Sequence, residues 1–310
     1  MIRRFLPVVA VLGGLFLVFV WWLFISDAAA PDEAPELFDI AEWRALVEAD
    51  PADQLPTEIR WLEVGHDRAP SFAVQAGAFH GDVAMSYNSV QVVSPSGTVI
   101  IGGAVDAGTA EDMRQDEAAA AFFPDNYSAL VFAMLEADAV LMTHEHLDHI
   151  MAIARHPDPN ALAPSLWLNG PQIRALADFV NGPMPPLYRT LDPKLAGAVQ
   201  RVAPGIIAVP APGHTPGSQL IYIRQQDGRE FLLIGDIAWS MSNIVDLTTR
   251  PVLTQFVVFD PNEDRSSVKQ QLRALHDLMK AEPDLVIVPS HHRDYINGLV
   301  ADGDLVEGFL

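Results

Sequence analysis

The chain of 310 residues contains no cysteine. It therefore cannot form disulfides or a zinc site with thiolate ligands, and cysteine usage does not indicate a redox compartment. Basic residues are also few, with 19 lysines and arginines against 40 acidic residues and a formal net charge of −21 at pH 7. Such an acidic surface favours solubility and repels phosphate backbones, so nucleic acid is not an expected partner.

One long stretch near the N-terminus lacks charge altogether. Residues 5–25 are uncharged and follow Arg3 and Arg4. A stretch of this length can span a bilayer of about 30 Å, and basic residues on its N-terminal side predict that this end lies in the cytoplasm. The sequence thus predicts a single-pass inner-membrane protein with its catalytic domain in the periplasm. Three alanines at 28–30 resemble a signal-peptidase site, so secretion after cleavage is the alternative.

The most informative motif follows the apolar residues 139–142. Within six positions it contains His144, His146, Asp148 and His149. Imidazole and carboxylate groups are the ligands that zinc, iron and manganese accept. The alternative is a polar loop that contains several histidines but binds no metal.

Three further residues of ligand type follow apolar segments that the sequence predicts to be strands: His214, Asp236 and His291. His214 lies in a turn rich in proline and glycine, which it could simply help to shape. Asp236 could likewise be a turn residue at a strand end. His291 is adjacent to His292, and the two point to opposite sides if the chain is extended.

In this order the residues resemble the ligand motifs of the metallo-β-lactamase superfamily, from about residue 61 to the C-terminus. The resemblance implies an α/β fold, a four-layer αββα sandwich, here preceded by the transmembrane helix. It also implies two divalent metal ions, with zinc expected first and iron or manganese as alternatives. Its pattern places the last ligand directly after Pro-Ser, which selects His291. One ion would be held by His144, His146 and His214, the other by Asp148, His149 and His291, and Asp236 would bridge them.

The reaction that these ions support is hydrolysis by a metal-bridging hydroxide. Asp148 is the candidate catalytic group, because a carboxylate beside the nucleophile can accept its proton. We expect a small ester or lactone as substrate; a phosphodiesterase acting on small molecules and a non-catalytic scaffold are the alternatives. Two positions depart from the expected pattern. Trp239 stands where the acyl-homoserine lactonase branch has a tyrosine. The family's first motif has an aspartate after an apolar strand, but here Gly102 follows the apolar segment 98–101, and the nearest acid is Asp106.

The chain divides into an N-terminal membrane anchor or signal segment (1–30), a linker with a short helix (31–60) and the catalytic domain (61–310). Apolar periodicity predicts helices at 37–49, 108–122, 127–136 and 265–280. Segments 220–223 and 231–234 are expected to form a hairpin. The long segment 240–264, with Phe256, Phe259 and Pro261, is expected to line the substrate pocket.

Overall fold

The computed structural model describes residues 6–257 and 263–310, and within them it contains two β-sheets. The first has the order β11-β1-β2-β3-β5, with β4 paired to β1. Its strands are β1 (Glu58–Pro70), β2 (Asp82–Ser94), β3 (Gly97–Ile101), β4 (Ala121–Phe122), β5 (Ala139–Leu141) and β11 (Val306–Glu307). The second has the order β10-β9-β8-β7-β6. Its strands are β6 (Gln200–Ala203), β7 (Ile206–Pro210), β8 (Gln219–Arg224), β9 (Glu230–Leu233) and β10 (Leu285–Val288).

Helices precede, connect and cover the sheets. They are α1 (Leu6–Phe24), α2 (Ile40–Glu48), α3 (Ser71–Val74), α4 (Ala107–Met113), α5 (Pro124–Glu136), α6 (Leu147–Ala154), α7 (Pro159–Leu162), α8 (Gly170–Phe179), α9 (Met241–Val245), α10 (Val252–Val257), α11 (Arg265–Ala281) and α12 (Arg293–Asp302). Short 3₁₀ turns occur at Ala52–Gln54, Ala163–Ser165, Tyr188–Thr190 and Gly235–Ile237.

Strand β8 shows why the sheets bury both faces. Its side chains alternate along the pleat, so Leu220 and Tyr222 pack in the core beneath α2 and α11. Ile221 and Ile223 point the other way, into the core between the two sheets. A third core joins the first sheet to α5, α6 and α8. Helices therefore cover the outer face of each sheet, and the expected αββα arrangement is confirmed.

The prediction of an N-terminal transmembrane helix is wrong. In the described part of the chain, no helix combines the length and the hydropathy needed to cross a membrane. The last turn of α1 packs on the domain, with the Phe24 ring 5.6 Å from that of Phe72. Arg3 and Arg4 lie outside the described residues.

The helix expected at 108–122 is present only in its first part, because α4 ends at Met113. The buried carboxylate of Asp67 accepts the backbone N–H groups of Gln115 and Asp116 at 2.5 and 3.1 Å. Those N–H groups would otherwise continue the helix, so the chain turns and reaches β4 instead. The expected hairpin is confirmed as antiparallel β8 and β9.

Strand direction brings four loops to one edge of the sandwich. β3 and β5 are parallel, and so are β9 and β10. β7 and β9 both run antiparallel to β8 and so share a direction. The loops after β5, β7, β9 and β10 therefore carry the polar motifs of the chain to neighbouring positions.

Candidate metal centre

The seven predicted ligands meet where these four loops converge. They form two groups that share one carboxylate: His144, His146, His214 and Asp236, and Asp148, His149, His291 and Asp236. In each group, one ligand-type atom per residue lies within 4.8 Å of all the others. His146 and Asp148 are partly exposed while the other five are buried, so the centre opens to solvent on the side of those two. Their role as metal ligands stays a prediction.

Asp236 lies between the two groups and faces both with different oxygens. Its Oδ2 is 3.6 Å from Nε2 of His144 and 3.5 Å from Nε2 of His214. Its Oδ1 is 3.4 Å from Nε2 of His149 and 3.1 Å from Nε2 of His291, and the latter atom also lies 3.3 Å from Oδ2. A carboxylate with one oxygen on each side is suited to bridging two cations.

The electrostatics of the centre separate its imidazoles into two kinds. Burial, together with neighbouring imidazoles, holds the pKa of His144 and of His146 well below its usual range. Both rings are therefore neutral and keep a lone pair, the state that a metal ion requires. Burial also lowers the pKa of His291, but Asp236 and Asp148 outweigh it and raise that pKa to about 9. The carboxylates of Asp236 and Asp148 thus favour positive charge at the group of ligand candidates that contains His291.

Glu145 connects the loop after β5 to the loop that carries His214. Its buried carboxylate accepts the hydroxyl of Thr215 at 2.7 Å and the backbone N–H of Gly217 at 2.8 Å. Gln172 reinforces the connection, because its amide donates to the carbonyls of Met142 and Gly217. The spacing of His144, His146 and His214 is thereby set by polar side chains as well as by the strands.

Three residues that sequence reasoning did not assign to the centre support its ligands. The indole N–H of Trp239 donates to Oδ2 of Asp236 at 2.7 Å. Arg250 donates to the backbone carbonyl of Asp236 at 3.1 Å. Glu263 lies 3.3 Å from Nδ1 of His214 and 49 residues after it, too far in sequence for any local pattern to indicate the pair.

Several residues lie apart from the two groups. Asp106 caps α4 and pairs with Arg155 at 2.8 Å, so it does not support the centre. The ring nitrogens of His66, His156 and His276 contact Glu63, Val131 and Ile244 respectively, and His80 belongs to neither group. His292, the alternative to His291, instead accepts the backbone N–H of Met241 and stacks on Tyr295.

The segment 240–264 contributes Arg250 and Glu263 to the surroundings of the centre. Phe256 is 60 % exposed, and its ring lies 6.0 Å from that of Trp22, near the end of α1. Phe259 and Pro261 lie outside the described residues, so the expectation that they line a substrate pocket stays a prediction.

The model of the metallo-beta-lactamase superfamily matches residues 82–291. No curated protein matches the chain in sequence. Among similar solved structures, an N-acyl homoserine lactone hydrolase with N-hexanoyl-L-homoserine bound at its catalytic metal centre is 13 % identical, with a TM-score of 0.56, over 79 % of this chain and 96 % of that one. A quorum-quenching N-acyl homoserine lactone lactonase is 15 % identical, with a TM-score of 0.53, over 77 % and 93 %. A probable metal-dependent hydrolase from Staphylococcus aureus is 13 % identical, with a TM-score of 0.53, over 77 % and 90 %. At these identities the likeness is one of fold.

Proposed function

We propose that this chain, which belongs to the metallo-β-lactamase superfamily and is a metallo-hydrolase of that superfamily, holds two divalent metal ions and hydrolyses a small ester or lactone. The observation that carries the proposal is the position of Asp236, with one carboxylate oxygen facing each group of ligand atoms. Such a shared carboxylate favours a dinuclear centre over two unrelated sites.

The residues present fit such ions. Nε2 of His144 is buried and has no hydrogen-bond partner, and the nearest carboxylate oxygen is 3.6 Å away. A buried imidazole nitrogen without a partner is costly unless something else satisfies it, and a cation would do so. Histidine nitrogens and carboxylate oxygens suit zinc, which is the first ion to test, as well as iron and manganese.

When bound, divalent ions would lower the pKa of a bound water towards ~7 and would polarise the oxygen of the substrate. Asp236 balances charge between the two groups. Asp148 is partly exposed on the open side, where its carboxylate can accept the proton of the nucleophile and return it to the leaving group. Substrate approaches over His146 and Asp148, because the other five ligand candidates are buried.

The substrate class rests on charge and on the structural neighbours. With a net charge of −21, the protein disfavours polyanions, so a small and nearly neutral substrate is proposed. Two solved structures of similar fold are hydrolases of N-acyl homoserine lactones. Lactones and simple esters are therefore the compounds to screen first, and small phosphodiesters are the second set.

Metal analysis of the full-length protein is the first test. We expect close to two ions per chain and hydrolysis of at least one lactone or ester that stops when a chelator removes the ions and returns when zinc is restored. Cleavage of phosphodiesters alone would favour the alternative reaction. Failure to retain zinc, iron or manganese would contradict the proposal and favour the non-catalytic scaffold.

The compartment also stays a prediction. We propose the periplasm, with secretion as the alternative. A reporter enzyme fused after Leu310 that is active only outside the cytoplasm would support this location, and activity only inside the cytoplasm would contradict it.

A further inference from the structure

A buried ion network touches one of the ligand candidates from behind. Oε1 of Glu263 lies 3.3 Å from Nδ1 of His214, and a terminal nitrogen of Arg250 lies 2.8 Å from the same atom. Arg250 and Glu263 also pair directly, with side chains that are 4 % and 3 % exposed. The side of His214 that faces away from Asp236 is therefore bordered by a carboxylate and a guanidinium at once.

These two neighbours favour opposite tautomers of His214. An ionised carboxylate only accepts hydrogen bonds, so Glu263 favours a proton on Nδ1. A guanidinium only donates, so Arg250 favours a lone pair on Nδ1 and thus a proton on Nε2. Nε2 is the atom that faces Asp236, at 3.5 Å. With a proton there, the ring could not bind an ion through that atom.

The other partners of Arg250 decide between the two tautomers. Its guanidinium already donates to Glu263 and to the backbone carbonyl of Asp236 at 3.1 Å. Both terminal nitrogens of Arg250 therefore keep an acceptor when Nδ1 of His214 carries a proton, and the nitrogen that lies 2.8 Å from Nδ1 is the one that donates to Glu263. Without that proton, Oε1 of Glu263 would face the lone pair of Nδ1 at 3.3 Å, an unfavourable contact between two acceptors.

Arg265 holds Glu263 from the opposite side. One of its terminal nitrogens lies 3.7 Å from Oε2 of Glu263. The other donates to the backbone carbonyls of Arg250 and Asp27, at 2.9 and 2.8 Å. The carboxylate of Glu263 thus lies between two arginines, each of which is anchored to backbone.

We propose that Glu263 is a positioning residue: it accepts the Nδ1 proton of His214 and so directs the lone pair of Nε2 towards the ion. Arg250 and Arg265 keep Glu263 ionised and in place. This role for Glu263 rests on the proposed metal function. The tautomer of His214, however, is a property of the metal-free protein and can be measured in it.

The test is nitrogen NMR of the metal-free protein labelled with ¹⁵N-histidine. We expect the Nδ1–H tautomer for His214 in the parent protein. In Glu263→Gln, the charge that holds Arg250 is lost while the side-chain shape is kept, so we expect a shift towards the Nε2–H tautomer. Zinc affinity of the group containing His214 should fall by about 10- to 100-fold, while the second ion is retained. Glu263→Asp, which restores the charge, should recover part of both properties.

Glu230→Gln is the matched control, because Glu230 is also a buried glutamate paired with an arginine, Arg44, at 2.6 Å. It should change neither the tautomer of His214 nor the zinc content. An Nε2–H tautomer in the parent protein would overturn the proposal, whether or not Glu263→Gln folds. Retention of Nδ1–H and of both ions in Glu263→Gln would overturn it as well. A parent protein that binds no ion would contradict the proposed function instead, while the tautomers still decide the positioning proposal.

Discussion

The indole N–H of Trp239 donates to Oδ2 of Asp236 over 2.7 Å, and the guanidinium of Arg250 lies 4.6 Å above the same indole ring. Indole has a single N–H and no acceptor, so this contact occupies the only polar group of Trp239. The side chain three positions after the shared carboxylate therefore orients that carboxylate. A substrate oxygen that binds here must obtain its hydrogen bonds elsewhere.

Trp239→Phe tests this contact. The substitution keeps an aromatic ring but removes the donor to Asp236, so we expect metal affinity to fall by about 10- to 100-fold with the fold retained. Competition with a chelating dye measures the affinity. Trp167→Phe is the control, because Trp167 packs beneath Lys194 in another part of the core. Equal affinity in the two variants would show that the indole N–H does not support the centre.

Asp236→Asn tests the bridge itself. An asparagine has nearly the same shape, but its amide has one oxygen and no charge, so it cannot serve two cations. We expect about one ion or none per chain and no measurable hydrolysis, with unchanged circular dichroism. Asp106→Asn is the matched variant, since Asp106 pairs with Arg155 and caps α4. An Asp236→Asn protein that still hydrolyses substrate with two ions bound would remove Asp236 from the bridging position.

Gly217→Ala tests the connection between the two loops. A Cβ at this position would lie 2.5 Å from Oε2 of Glu145 and 2.9 Å from Oδ1 of Asn169. If they moved, Glu145 would lose its hydrogen bond from Thr215, and Asn169 would lose its hydrogen bond from the backbone N–H of Gln172. We therefore expect the free energy of unfolding to fall by about 1–3 kcal/mol and zinc to be lost more readily. Denaturant unfolding and metal analysis measure the two effects.

Gly298→Ala in α12 is the control for that substitution, because a Cβ there meets nothing within 4 Å. It should stabilise the protein by about 0.5–1 kcal/mol, since alanine is favoured over glycine inside a helix. If both alanine variants were equally stable, the close approach of Gly217 to Glu145 would have no energetic consequence.

Glu230 gives a prediction for acid stability. Burial raises the pKa of Glu230, but hydrogen bonds from Arg44 and Tyr222 outweigh it and leave the pKa below its usual value. A carboxyl with a lowered pKa in the folded state contributes stability above its unfolded pKa of ~4.3, and this is lost as the pH falls through the folded value. Glu230→Gln should therefore lower the free energy of unfolding by about 2 kcal/mol at pH 7 and by much less in acid.

Urea unfolding of the metal-free parent and of Glu230→Gln, at pH 7 and at pH 3, measures this difference. Metal-free protein is used because acid also releases ions from the centre. A stability difference that stays the same at both pH values would mean that the charge of Glu230 contributes nothing.

The sequence was sufficient to find the ligand candidates because each follows a strand that is itself recognisable. His144 and Asp236 are far apart in the chain, yet β5 and β9 end at the same edge of the sandwich. Helix α11 was predicted almost to its last residue, since the stripe of Val268, Leu272 and Leu275 has helical spacing and Asp264 caps its first turn.

Supporting contacts were harder to predict, because they depend on where single side chains point. Glu263 and Arg250 belong to no periodic pattern, and their partners lie 49 and 36 residues away. The end of α4 was missed for the same reason, since the acceptor that stops the helix is Asp67, 48 residues earlier. The N-terminal prediction relied on length, apolarity and the preceding basic residues, and none of these indicates that Phe24 packs on Phe72.

The hydrogen bond from Arg265 to the backbone carbonyl of Asp27 has a consequence for the timing of synthesis. The two residues are 238 positions apart. At roughly 5–20 residues per second, a ribosome adds Arg265 about 12 to 48 s after Asp27. Until then, the backbone carbonyl of Asp27 lacks its hydrogen bond from Arg265. The network behind His214 is therefore completed only after Arg265 has been added, whereas the loop holding His144 to His149 is made well before it.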